Sequence, residues 1–217
     1  MAEWDGVAER GQYKEAYQAQ LDEVADAAYR GDWPALVAVV EKSPGLANTR
    51  RTGGRSGWAP LHQAAWHGAP PEVVRQLLRA GAWRTLRAAD GERPVDVAVR
   101  LERHELVGLL EPAPLRPLAD RSLRAMEEYL HALVRIRTAD FGVKLALNLP
   151  QISVLTELPE GKVWFPVPGM YGGFSIALED AETSPRLSVS SHCRVAGYSG
   201  QTHHITADGC ALVESGW

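Results

Sequence analysis

One stretch constrains this chain more than any other: Trp58-Ala59-Pro60-Leu61-His62-Gln63-Ala64-Ala65-Trp66-His67-Gly68. Pro60 suits the first turn of a helix, where the missing N–H costs nothing. Leu61, Ala64 and Ala65 then form a narrow apolar face whose small side chains let a second helix approach closely. Gly68 ends the helix in the left-handed conformation that glycine adopts without penalty. A second helix follows at once, Val73-Val74-Arg75-Gln76-Leu77-Leu78-Arg79-Ala80, introduced by Pro70-Pro71 and closed by Gly81. The pattern returns at Pro94-Val95-Asp96-Val97-Ala98, 34 residues after Pro60, with Glu105-Leu106-Val107-Gly108-Leu109-Leu110 as its second helix. A chain written this way folds as a row of helix pairs, each of which buries its apolar face against the next.

The opening run resembles the start of an ankyrin repeat, whose signature is Thr-Pro-Leu-His-x-Ala, with Ala59 in place of the threonine. Val74-Arg75-Gln76-Leu77-Leu78-Arg79-Ala80-Gly81-Ala82 resembles the later part of the same repeat. The resemblance spans residues 20–112. It implies a short helical stack, a structural role for His62 at its turn, and a protein partner bound on the concave face. The unit before it, with Leu21, Val24, Ala27 and Ala28 at helical spacing and a second helix from Pro34, reads as a degenerate first repeat. A capping helix from Glu9 to Ala19 precedes it, with Tyr13 and Tyr17 on one face. Thr52-Gly53-Gly54-Arg55-Ser56-Gly57 falls where ankyrin repeats project a finger. Three glycines with Arg50, Arg51 and Arg55 make it either an anion-contacting loop or a solvated insertion. Trp66, near the exposed end of the inner helix, is a candidate binding anchor or an edge-packing residue.

Glu111-Pro112-Ala113-Pro114-Leu115-Arg116-Pro117-Leu118 marks the boundary between two domains, residues 1–112 and 113–217, because proline cannot continue a helix. A helix over 119–138 follows, with Leu123, Met126, Leu130, Leu133 and Val134 as its apolar stripe. Alternation from Phe141 through Val143, Leu145, Leu147 and Leu149 predicts a strand, and Ile152, Val154 and Leu155 another extended piece. The second half therefore reads as one helix on a small antiparallel sheet or partial barrel, and the whole chain as α+β. It resembles a bacterial domain carrying a similar Trp-Phe-Pro-Val-Pro-Gly-Met-Tyr-Gly-Gly-Phe run, a resemblance that brings no activity with it.

That run, residues 164–174, supplies the candidate binding residues Trp164, Phe165, Met170, Tyr171 and Phe174. Glycines admit a ligand near the backbone and aromatics give contact area, so the loop either lines a pocket or plugs its own domain. If the last hairpin folds about Tyr198, His204 stands opposite His192 and His203 opposite Cys193. His192 and His204, with Tyr171 or Glu157, would then form a general acid–base set, and His203 would join the pocket wall. No metal-ligand spacing, phosphate loop, dinucleotide fingerprint or nucleophile elbow is present, so no metal or cofactor is expected.

Two function classes follow. One is an interaction protein with a fused recognition domain and a protein partner. The other is a small-molecule enzyme or binder, such as a cofactor-independent cyclase, isomerase or hydrolase, with its pocket in the C-terminal half. A net charge of −4 gives no footprint for nucleic acid. No apolar run reaches the ~18–20 residues of a membrane span. Two cysteines and no signal-like start point to a cytoplasmic protein with reduced thiols. The excess of Arg over Lys suggests a bacterial, GC-rich source.

Overall fold

A computed structural model describes residues 1–139, 147–193 and 199–216. The chain divides into two compact units, one formed by residues 8–113 and the other by residues 1–7 together with 114–217. The described residues are α+β, with helices in both units and the strands confined to the second.

The helical unit holds α1 (Glu15–Arg30), α2 (Trp33–Lys42), α3 (Pro60–His67), α4 (Pro71–Arg79), α5 (Pro94–Arg100) and α6 (His104–Leu110). They stack as three pairs in two layers: α3 lies between α1 and α5, and α4 between α2 and α6. Leu21, Val24, Leu36, Val40, Leu61, Val74, Leu77, Val97, Leu106 and Leu110 fill the space between layers. Each such side chain contributes roughly 1.5–3 kcal/mol on leaving water. Ala64, Ala65 and Ala98 are fully buried, as a close α3–α5 approach requires. α1 is one continuous helix that starts later than the expected Glu9 and runs through Ala19 without a break. It stops at Gly31, which sits at φ 69° and returns its N–H to the last turn. Asp32 then starts α2 by accepting the Ala35 N–H (3.2 Å).

The same start is built twice. At α3 the Nδ1 of His62 accepts the Ala59 N–H (3.3 Å), and at α5 the Asp96 carboxylate accepts the Arg93 N–H (2.8 Å). In both helices the third residue reaches back to satisfy the donor that precedes Pro60 or Pro94.

In the second unit, β1 (Ala2–Glu3), β2 (Lys162–Val167), β3 (Gly172–Glu179), β4 (Arg186–Cys193), β5 (Ser199–Thr206) and β6 (Gly209–Ser215) form one sheet in that order. β1 runs parallel to β2 and all other pairs are antiparallel, so the sheet is mixed. α7 (Asp120–Ala139) packs on β5 and β6, and α8 (Ile152–Glu157) on α7 and β3. Met126, Leu130, Val134, Ile152, Phe165, Phe174, Ile176, Val189 and Ile205 make its core.

One sequence expectation changes here. Residues 152–157 are helical, not extended. Glu127 of α7 accepts the Ile152 N–H (2.8 Å) and so starts a helix that local sequence does not announce. Pro166 lies inside β2. β1 covers β2 only at Val163 and Trp164, so Pro166 sits on an uncovered edge and forfeits no hydrogen bond. The expected strand from Phe141 falls mostly on residues 140–146, outside the described residues; Leu147 makes an isolated bridge to Val7.

No helix among the described residues is long and apolar enough to cross a membrane.

Candidate functional site

The candidate acid–base set does not assemble. In the β4–β5 hairpin, His204 pairs with Ser188 and His203 with Val189, while His192 pairs with Gly200 and Cys193 with Ser199. The observed pairs are displaced by four positions from those of a hairpin folded about Tyr198, so that Ser188 and not His192 faces His204. His192 and His204 do share one face of the sheet, but four residue pairs apart, which is about 13 Å along the strands. His192 is exposed and its ring stacks on Trp164 at 5.2 Å. Tyr171 occupies the β2–β3 turn at φ 49° and is 73% exposed. Glu157 closes α8, on a different element again. His203 faces inward and is buried; burial and the neighbouring Arg137 guanidinium hold its pKa below the ordinary imidazole value.

The aromatic Gly/Pro run is filled by its own side chains. Phe165, Met170 and Phe174 are fully buried, and the two phenylalanine rings stack at 5.9 Å. The glycines serve the sheet itself. A Cβ on Gly172 would stand 2.0 Å from the His192 carbonyl oxygen, and one on Gly173 2.2 Å from that of Phe165. The space they leave is occupied by the neighbouring strands. The Cys193 thiol is buried and donates to the Met170 carbonyl (2.8 Å).

The open site lies in the helical unit. A groove of about 580 Å³ is bounded by α1, the start and end of α3, and the loop 49–58. That volume falls in the range of ligand sites. Trp66 projects into it from the last turn of α3, 45% exposed, and Tyr29 from the last turn of α1, 66% exposed. The Trp58 ring stands between His62 and Trp66, at 6.3 and 5.4 Å respectively. Arg100 of α5 lies 6.0 Å from the Trp66 ring, and its guanidinium is fixed by both carboxylate oxygens of Glu92 (2.7 and 2.6 Å).

The glycine-rich loop that walls this groove is tied at several points. Thr52 is buried and within 3.4 Å of Gln18 Nε2. The Gly53 N–H bonds to Ala8 O (2.9 Å), and the Ser56 carbonyl accepts from Ala89 N–H (2.8 Å) in the equivalent loop of the next pair. Gly57, at φ 65°, allows that approach, since a Cβ there would stand 3.2 Å from the Ala89 nitrogen. Arg51 is ion-paired with Asp26 of α1. His67 donates from Nε2 to the Tyr29 carbonyl (2.9 Å), linking the ends of α1 and α3.

His62 is fully buried beneath this wall. Since Nδ1 accepts the Ala59 N–H, Nε2 carries the proton and donates to Glu92 O (3.1 Å). Burial lowers its pKa to about 4, so it stays a neutral structural brace.

Of the binding and catalytic candidates named from sequence, Trp66 lines the groove, together with Arg51 and Arg55 of the loop read as a possible anion contact. Tyr29, Gln63 and His67 join them, and the sequence gave none of these a binding signal.

No family model matches the chain. It is similar to the tyrosine-protein kinase HTK16 of Hydra vulgaris, 34% identical over 134 residues that cover 56% of this chain and 17% of that protein. The chain thus spans about a sixth of the length of the curated relative it matches.

Proposed function

We propose that the helical unit is a short ankyrin-type stack and that the chain is an interaction protein whose partner docks in the groove between α1, α3 and the loop 49–58. The observation that carries this reading is the groove itself, with Trp66 and Tyr29 exposed on a braced wall. Large aromatic side chains held rigid at low entropic cost are the commonest binding anchors. The ankyrin assignment rests on the 34-residue step from Pro60 to Pro94, supported by the same capping arrangement at His62 and Asp96. For the fused C-terminal unit, the same reading gives recognition to the sheet face that presents Trp164 and His192.

The rival reading, a small-molecule enzyme with its pocket in the sheet unit, drew on an open aromatic loop beside paired histidines. Phe165, Met170 and Phe174 fill that loop, and His192 and His204 stand apart.

Selection of a random peptide library against the full chain tests the proposal. Peptides whose binding is lost in Trp66→Ala are the expected result. A library that yields no peptide distinguishing the two proteins refutes it.

A further inference from the structure

The groove is electrostatically one-sided. Its charged lining is Arg51, which is ion-paired with Asp26 of α1, and Arg55, and no carboxylate lines it. The chain as a whole carries −4, so composition does not explain this bias. Arg55 sits on the exposed part of the loop and makes no ion pair among the described residues. A carboxylate already benefits from the surroundings. Asp26, held by Arg51 and flanked by Arg30 and Arg10, has its pKa lowered, first by the Arg51 hydrogen bond. The apolar part of the groove is equally defined: Trp58, Trp66, Tyr29, Ala25 and Ala28 form a surface for one large side chain.

We propose that the segment accepted by this groove is an acidic peptide, in which a large apolar side chain lies against Trp58, Trp66 and Tyr29 and a neighbouring Asp or Glu carboxylate meets Arg55. The inference rests on the groove being the docking site, as proposed above. Arg suits the role because its planar guanidinium can take a carboxylate in two parallel hydrogen bonds. An acidic partner would also be steered toward a basic opening on an acidic chain.

The test uses three displayed pools of short random peptides with equal apolar content. Charged positions carry Asp/Glu in the first, Lys/Arg in the second and Gln/Asn in the third. Each is selected against the full chain and against Trp66→Ala. The acidic pool should be enriched about tenfold over the others on the wild-type chain alone. Acidic binders should weaken about tenfold in Arg55→Glu, and by a similar factor as salt rises from roughly 0.05 to 0.5 M. Arg55→Lys should keep most of the affinity. Arg55 is exposed, so neither change disturbs the core. Trp66-dependent binders drawn equally from all pools, or mainly from the basic or uncharged ones, would overturn the acidic assignment while leaving the groove as a docking site. Absence of any Trp66-dependent binder would overturn both.

Discussion

His62 makes the helical unit sensitive to mild acid. Its ring is fully buried, with Nδ1 accepting from Ala59 and Nε2 donating to the Glu92 carbonyl. A proton added at Nδ1 would set two donors against each other in a site from which water is excluded. Burial is the largest cause of the depressed pKa, about 4 against 6.5 for a free imidazole; Arg50 adds to it, while the Glu92 carbonyl and the charges of Asp90 and Glu92 oppose it. Because the folded value lies below the unfolded one, the unfolded chain takes up the proton first. The contribution of His62 is therefore complete above the unfolded pKa and is lost as pH falls from about 6.5 toward 4. The full difference is worth roughly 3 kcal/mol, of which about 2 kcal/mol is lost between about pH 8 and pH 5. Urea unfolding of the full chain, read by hydrogen exchange in peptides from α3 to α6, measures this directly. His62→Gln can keep an acceptor and a donor but cannot titrate. It should be less stable than wild type near pH 8 by about 1–2 kcal/mol and lack the His62 share of the acid loss. His203, whose pKa is lowered in the other unit, is common to both proteins and cancels in the comparison. If wild type and His62→Gln lose equal stability between about pH 8 and pH 5, the reasoning about the buried tautomer is refuted.

Other expectations follow from the same geometry. Asp96→Ala removes the acceptor for the Arg93 N–H and should cost about 1 kcal/mol, seen as faster exchange in α5; unchanged exchange would contradict the capping role. Gly173→Ala forces a methyl against the Phe165 carbonyl and should open the β2–β3 pair, lowering the sheet unit's unfolding free energy by more than about 3 kcal/mol in urea titration, whereas Gly209→Ala, with open space around it, should not. Phe165→Ala should cost about 3–5 kcal/mol through the cavity it leaves beside Phe174; a cost below 1 kcal/mol would mean that the loop is not packed as described. Under native conditions a maleimide should label Cys210, which is exposed, and spare Cys193, which is buried against Met170; mass spectrometry of the labelled peptides decides.

Helix pairs were legible because their signals are local. Pro60, Pro71 and Pro94 open helices, and Gly31 and Gly68 close them at positive φ. The apolar positions of α7 appear at helical spacing within one stretch. What escaped the sequence depended on partners far along the chain. β1 is two residues long, with no strand pattern of its own, and exists because it pairs with Val163 and Trp164. α8 has apolar residues that fit either period, and the deciding group is Glu127. The β4–β5 register could not be counted from turn residues, since a small displacement of the reversal moves His204 from His192 to Ser188. Phe165, Met170 and Phe174 have the composition of a pocket wall, yet core and pocket use the same residues. Only the carbonyls beside Gly172 and Gly173 tell them apart. The groove was hidden for the opposite reason: its lining is drawn from α1, the loop 49–58 and α3, and no single segment displays it.

The central claim is that a partner segment docks against Trp66. The chain has seven tryptophans, each with an indole N–H signal that reports its own surroundings. Titration of a selected peptide into isotopically labelled full chain should shift the signals of Trp58 and Trp66 and leave those of Trp4 and Trp164 in place. Shifts confined to Trp4 and Trp164, with Trp58 and Trp66 unmoved at saturation, would contradict the account.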